Sequence, residues 1–382
     1  MSTQPIPNKI KATNPELSTK KFNTLLVDGS NLLEVCFNGY KKLSSSGKEI
    51  GAIYQFLLQL KLLLRKGNFR YVYCFFDGDS SGQYRFNYYP DYKANRDKTF
   101  DEAELSDYMK EVNERIRRMQ KHFSKPKRDE SEKENFFWQR NVLMDCLEEL
   151  AVRQCICDKV EADDLIGYYV THKKPEERIV ICSNDRDLTQ LISEDVIVYV
   201  QSLHDFVNTK NHTSVMGYHY SNVLLQKMLC GDASDNIKGV KGLGEKTLFQ
   251  NFPELTERRV TLNEVINKAS EINEKRKSEK KKPLKWAENI VNGTTDGIQG
   301  DKLYEINEKI IDLKHPLMTD ESVELMESFM YAPMDMEGRS MESLYRILLE
   351  NEIDDLKDEG AFANFFTEFK YLIDKEAKNS PN

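Results

Sequence analysis

Short apolar runs alternate with amphipathic segments through the first half of the chain. Runs with the length and composition of strands occur at residues 22–30, 70–78, 178–185 and 196–200. Apolar side chains recur with helical spacing at residues 49–66, 138–153 and 161–171. Continuous apolar strands that alternate with helices are typical of a parallel sheet buried on both faces. The pattern therefore predicts an α/β fold with a mainly parallel central sheet flanked by helices.

The alternating pattern is interrupted once and then ends. Residues 97–137 lack core periodicity and change from acidic to strongly basic, which indicates an insertion. Beyond the strand pattern, the sequence is mostly amphipathic and helical. We predict a flexible tail at residues 1–21, a core at 22–214 that contains the insertion, and a helical C-terminal region at 215–382. A second basic run, Lys275–Lys285, is expected to lie in a loop.

Composition narrows the class of protein. The chain has 382 residues, of which 39% are hydrophobic, so it can bury a core. No apolar run approaches the roughly 20 residues that cross a bilayer, and the N-terminal residues lack the apolar segment of a signal peptide. The seven cysteines form no CxxC pair, which favours buried reduced thiols over disulfides or a zinc site. We expect a soluble, cytoplasmic protein.

The formal net charge of −8 argues at first against a nucleic-acid partner. Nine of the acids, however, fall in tight clusters, and without them the charge would be about +1. Two divalent cations bound there would restore about four positive charges. The rest of the surface can then carry basic stripes, so the net charge excludes no class of partner.

Carboxylates follow the apolar runs or open the helices after them, at Asp28, Asp77, Glu161, Asp163, Asp164, Asp185 and Asp187. Because the carboxyl ends of parallel strands meet at one edge of a sheet, we expect these acids to gather there. In a helix, Glu161 and Asp164 share a face and Asp163 points away from it. Any one of these aspartates alone is more typical of a turn or a helix cap. Together they favour a site for Mg²⁺ or Mn²⁺, which prefer oxygen ligands.

Residues 231–247 (GDASDNIKGVKGLGEKT) combine acids with glycines and lysines. Two of the acids, Asp232 and Asp235, are expected one helical turn apart, where they would add oxygens to the metal site. The remaining residues predict a tight turn between helices, formed by Gly239, Gly242 and Gly244 with Lys238, Lys241 and Lys246 nearby. Exposed backbone N–H groups and the dipole of the following helix suit the phosphates of a nucleic-acid duplex.

The motifs VDGSN, FFDG, YKANRD, VEADDLIG, SNDRDL and GDASDNIKGVKGLGEKT occur in an order that resembles the flap endonuclease and 5′-3′ exonuclease family of structure-specific 5′ nucleases. Within that family, SGQYRFNYYPDYKANR and the helical C-terminus are most similar to the ribonuclease H of T-even bacteriophages. The resemblance implies a PIN-like core with a helical arch and a helical DNA-binding region. It also implies Mg²⁺-dependent removal of RNA primers and short 5′ DNA tracts, and cutting of flaps or forks, in DNA replication and repair.

The resemblance also implies roles for single residues. The metal-binding acids would be Asp28, Asp77, Glu161, Asp163, Asp164, Asp185, Asp187, Asp232 and Asp235. A basic pair, Lys93 and Arg96, would contact the scissile phosphate, and Tyr92 would stack on a base. Residues 97–137 would form the arch around single strands. Residues 231–250 would form a helix-turn-helix with a K⁺ ion at its carbonyls, gripping the duplex through Lys238, Gly239, Lys241, Gly242, Gly244 and Lys246.

Phosphodiester hydrolysis needs an activated water, neutralised phosphoryl oxygens and help for the leaving group, which a pair of divalent cations supplies. We hypothesise that one cation is held by Asp77, Glu161 and Asp163. The other would be held by Asp185, Asp187 and, through water, Asp232. The basic pair would then clamp the charge that develops on the phosphate.

Two other functions fit parts of the pattern. A PIN-type endoribonuclease for single-stranded RNA uses a similar acidic sheet edge, but it would be shorter and lack the GDASDN element. A non-catalytic DNA-binding accessory protein would not need the full acid set. The expected partner is a DNA duplex with a 5′ flap or an RNA primer, bound by a monomer. A single-strand-binding protein or a sliding clamp is a further expected partner. If the chain is phage-encoded, it would act in the interior of the host cell.

Overall fold

The computed structural model describes residues 21–94, 128–296, 298, 300 and 302–379. Its central sheet has six strands, β1 Thr24–Asp28, β2 Tyr71–Asp77, β3 Arg153–Cys157, β4 Ile179–Cys182, β5 Val196–Val200 and β6 Asp205–Val207. The strands lie in the order β3-β2-β1-β4-β5-β6, and all neighbours are parallel except the antiparallel pair β5 and β6. The predicted mainly parallel sheet is therefore confirmed.

The sheet reverses its direction of growth between β1 and β4. The chain moves outward from β1 through β2 to β3, and then crosses back to place β4 on the other side of β1. In open α/β sheets, ligands bind beyond the carboxyl ends of the strands at such a switch point. Asp28 is the last residue of β1 and Asp77 the last of β2, so the fold places two of the predicted acids at that edge.

Helices cover both faces of the sheet. Those of the first part of the chain are α1 Gly29–Gly39, α2 Gly51–Leu64, α3 Gln83–Tyr88, α4 Glu130–Glu149 and α5 Ala162–Thr171. On one face, α1, α2 and α4 bury an apolar cluster that includes Leu33, Phe56 and Leu143. On the other, α5 packs Leu165 and Tyr169 against the sheet. Burial on both faces explains why the strands are apolar without alternation.

The C-terminal region is helical, as predicted. Its helices are α6 His212–Met216, α7 Val223–Cys230, α8 Glu245–Asn251, α9 Leu262–Ser278, α10 Lys285–Val291, α11 Lys302–Ile311, α12 Asp320–Phe329, α13 Met341–Glu350, α14 Glu359–Phe365 and α15 Thr367–Asn379. Helices α7 to α11 share a separate apolar cluster, whereas α13 to α15 pack on the same face of the sheet as α2. In α15, Glu376 forms a buried ion pair with Arg153 of β3, at 2.9 Å between the charged atoms.

Two element boundaries differ from the sequence prediction. The first strand ends at Asp28 and α1 follows without a turn, because the Asp28 side chain accepts a hydrogen bond from the Asn31 backbone N–H at 3.0 Å and caps the helix. Only glycine fits at position 29, since a Cβ there would lie 2.7 Å from the Phe76 ring. Helix α4 begins at Glu130, well before the predicted start, and is capped by Asp129.

The segment with the paired acids is not helical. Gly231–Asp232 (β7) and Ile237–Lys238 (β8) form a short antiparallel hairpin, so the prediction that Asp232 and Asp235 lie one helical turn apart is wrong. At Gly231 the φ angle is +72° and a Cβ would lie 2.3 Å from the backbone of Gly239, so the two strands approach too closely for side chains. With α7 before it and α8 after it, the segment is a helix–hairpin–helix.

Several predictions lie wholly or partly outside the described residues. The tail is described only at residue 21, and of the predicted arch only residues 128–137 are described, most of them in α4. The basic run at 275–285 is helical at its start, in α9, and forms a short connection to α10. The seven cysteines are free thiols, five of them buried. Among the described residues, no helix is long and apolar enough to span a membrane.

Candidate active site

Asp28 and Asp77 lie side by side at the carboxyl edge of the sheet. Asp28 is buried and accepts a hydrogen bond from Ser183 Oγ at 2.8 Å. Burial raises its pKa to about 8, and the charges of Asp77 and Asp185 add to the rise. The Asp77 carboxylate accepts from the Ala162 backbone N–H at 2.9 Å, which ties the end of β2 to the start of α5. These contacts fix the two acids before any ligand binds.

The first acidic cluster consists of Glu161, Asp163 and Asp164 at the start of α5. One oxygen from each lies within 4.8 Å of the others. Glu161 and Asp164 are buried, and Asp163 is partly exposed. Glu161 is the extended residue before α5, so the two acids do not share a helix face as predicted, although both are directed into the protein. The cluster is therefore preformed, with one carboxylate open to solvent.

Arg85 of α3 neutralises the first acidic cluster from the protein interior. Its guanidinium contacts Glu161, lies 2.7 Å from Asp164 and 3.3 Å from Asp163, and donates to the Ile310 carbonyl at 2.9 Å. Burial disfavours the charged guanidinium, but the surrounding carboxylates hold its pKa well above the usual value. Burial also raises the pKa of Asp164. A buried charge network of this kind holds each carboxylate in one orientation.

Lys93 reaches the first acidic cluster from the solvent side. Its ammonium lies 2.6 Å from Glu161 and 3.6 Å from Asp235, and its backbone N–H donates to the Asp235 carbonyl at 2.7 Å. Its φ angle of +51° is in the left-handed region. Burial works against the charged form, but Glu161 and the other acids raise its pKa well above that of an ordinary lysine. The predicted catalytic lysine is therefore at the acids.

Tyr92 is not a platform for an unpaired base. Its side chain is 1% exposed, and its hydroxyl donates a hydrogen bond to Glu161 at 2.6 Å. A ring with so little free surface cannot stack on a base, so the predicted stacking role is wrong. The reason is that the segment folds inward at Lys93 and buries the residue before it. Tyr92 positions Glu161 instead.

The second acidic cluster consists of Asp185, Asp187 and Asp232, from the loop after β4 and from β7. Lys227 of α7 contacts both Asp187 and Asp232. Burial, together with the neighbouring Asp185, raises the pKa of Asp187 to about 7. Burial alone would also raise the pKa of Asp232, but Lys227 and two hydrogen bonds from Ser234 lower it to about 2. One lysine therefore pairs with two of the three acids, and the pKa values of Asp185 and Asp187 stay raised.

A cleft of about 400 Å³ opens onto the second acidic cluster. Its lining includes Lys93, Asp185, Asp187, Lys227, Asp232 and Asp235. The two acidic clusters interact across it, since Asp163 and Asp235 both raise the pKa of Asp185. The nine acids come from segments that are distant in sequence, and contacts or mutual electrostatic effects link them at this edge of the sheet. Their role as metal ligands stays a prediction.

The composition of the site fits a hard divalent cation. Its charged acceptors are carboxylate oxygens, and the described residues that line the cleft include no histidine or cysteine. Such oxygen ligands are those that Mg²⁺ and Mn²⁺ prefer. The raised pKa values of Asp28, Asp185 and Asp187 show that burial and mutual repulsion disfavour their charged forms. A bound cation would relieve that repulsion. The second predicted catalytic cation, Arg96, lies outside the described residues.

Sequence reasoning did not identify the partners of the acids. Arg85 was one cation in an aromatic stretch, and Lys227 was one charge in an otherwise apolar helix, VLLQKMLC. A charged residue on the buried face of an apolar helix is the signal that points to Lys227, because such a residue needs a partner. No comparable signal marks Arg85, since its burial follows from the packing of α3 against α11.

The predicted duplex-binding residues lie on and after the hairpin. Lys241 and Lys246 are exposed, and Lys241 forms an ion pair with Asp296 at 2.6 Å. Lys238 is half-exposed and lies 3.7 Å from Asp91. In the connection to α8, Gly242 and Gly244 have open space where a side chain would lie. Gly239, in contrast, packs against the backbone at the start of β7. The lysines therefore lie on the same helix–hairpin–helix that supplies Asp232 to the cleft, and two of them have acidic neighbours.

Comparisons with known proteins agree with this geometry. The family model for the 5′-3′ exonuclease, N-terminal resolvase-like domain, matches residues 23–219, more than half of the chain. A 5′-3′ exonuclease of Mycoplasmopsis pulmonis is 36% identical over 99 residues, 25% of this chain and 33% of that protein. Another, of Halalkalibacterium halodurans, is 29% identical over 241 residues, 58% of this chain and 67% of that protein. The chain thus spans only a third of the first relative and about two thirds of the second.

A solved structure shares the fold. The bacteriophage T5 flap endonuclease, in a pseudo-enzyme–product complex with DNA and metal ions, aligns with a TM-score of 0.50 and 16% identity, covering 92% of this chain and 99% of that one. At this identity the likeness shows the architecture, a mainly parallel sheet with flanking helices, and so confirms the expected fold class. With the matched domain model, the comparison places the chain in the 5′-3′ exonuclease family.

Proposed function

We propose that this protein is a metal-dependent 5′ nuclease that hydrolyses phosphodiester bonds at or near the 5′ ends of strands on duplex DNA. The observation that carries the proposal is the set of carboxylates at the carboxyl edge of the sheet. Three of them lie within 4.8 Å of one another at the start of α5, four line the cleft, and Asp77 and Asp185 add to the raised pKa of Asp28. Isolated acids at strand ends are common, but partly buried carboxylates this close together repel one another unless cations neutralise them. Membership of the 5′-3′ exonuclease family supports the reaction type.

The acids divide into two sets for cations, Mg²⁺ in the first place and Mn²⁺ as a substitute. One set is Asp77, Glu161 and Asp163, and the other is Asp185, Asp187 and, through water, Asp232. Asp28, Asp164 and Asp235 surround these sets, and the first two are engaged by Ser183 and Arg85. Two bound divalent cations would supply Lewis-acid activation of water and neutralisation of the phosphate in hydrolysis.

The chain's own cations have separate tasks. Arg85 is buried and holds the carboxylates of the first acidic cluster in place. Lys93 lines the cleft, where its ammonium can neutralise the scissile phosphate once Glu161 binds a metal. Lys227 lies between two acids of the second cluster, and its positive charge reduces the repulsion between them. The predicted role of Arg96 beside Lys93 remains part of the proposal.

The helix–hairpin–helix would hold the duplex. Lys238, Lys241 and Lys246 lie on and after the hairpin whose first strand supplies Asp232 to the cleft, and they would contact the phosphates of the duplex. The carbonyls of the same connection are the proposed site for K⁺. Binding through phosphates predicts an affinity that falls steeply with salt.

The proposed substrates are 5′ flaps and RNA primers on duplex DNA, which would place the protein in replication and repair. The relatives are named as 5′-3′ exonucleases, and the T5 protein as a flap endonuclease bound to DNA. Ribonuclease H activity rests on the narrower resemblance to the T-even bacteriophage enzymes. Action as a monomer, and contact with a single-strand-binding protein or a sliding clamp, are parts of the same proposal.

Digestion of 5′-labelled substrates tests the proposal. Flap, nicked and RNA-primed duplexes are incubated with the protein in Mg²⁺ or in EDTA, beside structureless single-stranded RNA. We expect cleavage of the duplexes near the 5′ end in Mg²⁺ and none in EDTA. Cleavage of the single-stranded RNA alone would instead favour a PIN-type endoribonuclease, and binding of the duplexes without cleavage would favour an accessory protein.

Two variants locate the activity. Asp187→Asn should lower the rate at least about 100-fold, since even residues that only support a metal ligand contribute 10- to 100-fold. Asp195→Asn is the matched control, because Asp195 precedes β5 at the opposite edge of the sheet and pairs with Arg178. Equal rates for both variants would remove the acidic site from the reaction.

A further inference from the structure

The end of α9, the connection that follows and the first residue of α10 carry the most concentrated positive charge in the described C-terminal region. We call this segment the basic tip, defined as Lys275–Lys285. It contains seven cations and one acid, at Lys275, Arg276, Lys277, Glu279, Lys280, Lys281, Lys282 and Lys285. All of these except Arg276 are exposed. Surfaces that serve only solubility intersperse both signs of charge, so this excess suggests an anionic partner.

The basic tip has a defined shape. Asn273 and Leu284 exchange two hydrogen bonds, at 3.1 and 2.8 Å, which pin the end of α9 to the start of α10. Inside the tip, Arg276 Nε donates to the Lys282 carbonyl at 2.8 Å, and the Lys281 backbone N–H donates to the Arg276 carbonyl at 2.8 Å. The cations are therefore held on a fixed backbone.

Most of the lysines of the basic tip are not neutralised by the protein. Lys281 pairs with Glu279, and Lys285 pairs with Glu288. The other exposed cations have no ion pair with any residue that the structure describes, namely Lys275, Lys277, Lys280 and Lys282. Four ammonium groups on one short segment repel each other, and bound phosphates would remove that repulsion.

The hairpin of α9 and α10 is joined rigidly to the duplex-binding region. Val265 of α9 and Ala287 of α10 lie in the same buried cluster as Leu243 and Leu248, which flank the start of α8. The backbone of Lys241 donates to the Thr294 carbonyl at 2.9 Å and accepts from the Asn289 side chain at 2.8 Å. A load on the basic tip is therefore transmitted to the helix–hairpin–helix.

We propose that the basic tip binds the phosphate backbone of duplex DNA as a second contact, beyond that of the helix–hairpin–helix. The inference rests on the proposed function, since the first contact is part of it. The 17 residues of α9 carry the tip about 25 Å from the base of the hairpin, the length of about seven base pairs. The second contact therefore requires a duplex longer than the one that the helix–hairpin–helix covers.

The test compares affinity for a short and a long flap duplex, of about 8 and about 30 base pairs, over a range of salt concentrations. The tip variant carries Lys275→Gln, Lys277→Gln, Lys280→Gln and Lys282→Gln. Its charge-matched control carries Lys210→Gln, Lys302→Gln, Lys314→Gln and Lys370→Gln, at exposed lysines without an ion pair among the described residues. A third variant replaces the four tip lysines with arginine. Fluorescence anisotropy in Ca²⁺ measures binding, and thermal melting checks the fold.

On the long duplex, we expect the slope of log affinity against log salt to become shallower by about 2 to 4 for the tip variant, since each lost phosphate contact contributes about 0.9. The short duplex, the control variant and the arginine variant should keep the wild-type slope. An equal change on both duplexes, or an equal change in the control variant, would overturn this inference alone. Wild-type protein that binds neither duplex would overturn the proposed function as well.

Discussion

The two acidic clusters use the same carboxylate chemistry but are neutralised in different ways. In the first acidic cluster, Arg85, Lys93 and Tyr92 all contact Glu161, and two of the three acids are buried. In the second acidic cluster, Lys227 contacts Asp187 and Asp232, Ser234 donates two hydrogen bonds to Asp232 at 2.7 Å, and the acids line a cleft. One cluster has two fully buried acids with buried cationic partners, and the other is partly buried along a cleft.

This difference indicates how one site can be both rigid and accessible. Buried carboxylates need fixed partners, because water cannot stabilise their charge. Carboxylates that line a cleft can be hydrated in part, so a single lysine between two of them is sufficient. We therefore expect substitutions in the first cluster to affect folding more, and substitutions in the second to affect ligand binding more.

The largest expected effect is that of Arg85→Met. The substitution leaves Glu161 and Asp164 buried without their guanidinium, so the free energy of unfolding in EDTA should fall by about 3–5 kcal/mol. Urea denaturation measures the change. Arg65→Met is the matched control, because Arg65 pairs with Glu368 at the surface and should contribute about 0–1 kcal/mol. Equal losses for the two variants would end the distinction between the enclosed cluster and the surface.

The next effect is stabilisation by metal. At a Mg²⁺ concentration of 100 times the dissociation constant, each site should raise the free energy of unfolding by about 2.7 kcal/mol. Calorimetric titration should show two binding steps in the wild type. Asp163→Asn should remove the step of the first cluster and Asp187→Asn that of the second. A single step abolished by either variant would mean that the clusters form one site.

A smaller effect is expected for Lys227→Met. In EDTA, Asp187 and Asp232 lose their common partner, and the free energy of unfolding should fall by about 2 kcal/mol, since water in the cleft hydrates the acids in part. Saturating Mg²⁺ should remove most of the difference from the wild type. Thermal melting with and without Mg²⁺ checks both points. A loss as large as that of Arg85→Met would contradict the contrast between the clusters.

The smallest effect is expected for Tyr92→Phe, which deletes one hydrogen bond to Glu161 and keeps the ring. The free energy of unfolding should fall by about 1 kcal/mol. Tyr88→Phe is the control, because Tyr88 is 47% exposed and should give no measurable change. Unchanged stability with weakened binding of single-stranded DNA would restore the stacking role that the buried ring argues against.

The position of the acids could be predicted from sequence because it follows from topology. Strand ends in a parallel sheet meet at one edge, so Asp28 and Asp77 had to be neighbours once β1 and β2 were recognised. The helix start at Glu161 was also predictable, since its acids open an apolar helix. Predicting the position of these acids requires only the order of the strands and helices along the chain. It does not require the angles at which they pack.

The neighbours of the acids could not be predicted, because they depend on how side chains are directed in three dimensions. Tyr92 has an aromatic side chain suited to stacking, and only the positive φ angle at Lys93 shows that the segment folds inward. The strand β3 was missed for a similar reason. Its sequence, RQCIC, is polar for a strand. Arg153 is accommodated there by an ion pair with a residue more than 200 positions later, which the sequence does not reveal.

The ion pair between Arg153 and Glu376 has a consequence for synthesis of the chain. Until residue 376 has left the ribosome, the edge strand of the sheet carries a guanidinium that lacks its carboxylate partner, beside the strand that ends at Asp77. The edge of the sheet is therefore completed only after residue 376 has been made, although the strands beside it are made much earlier.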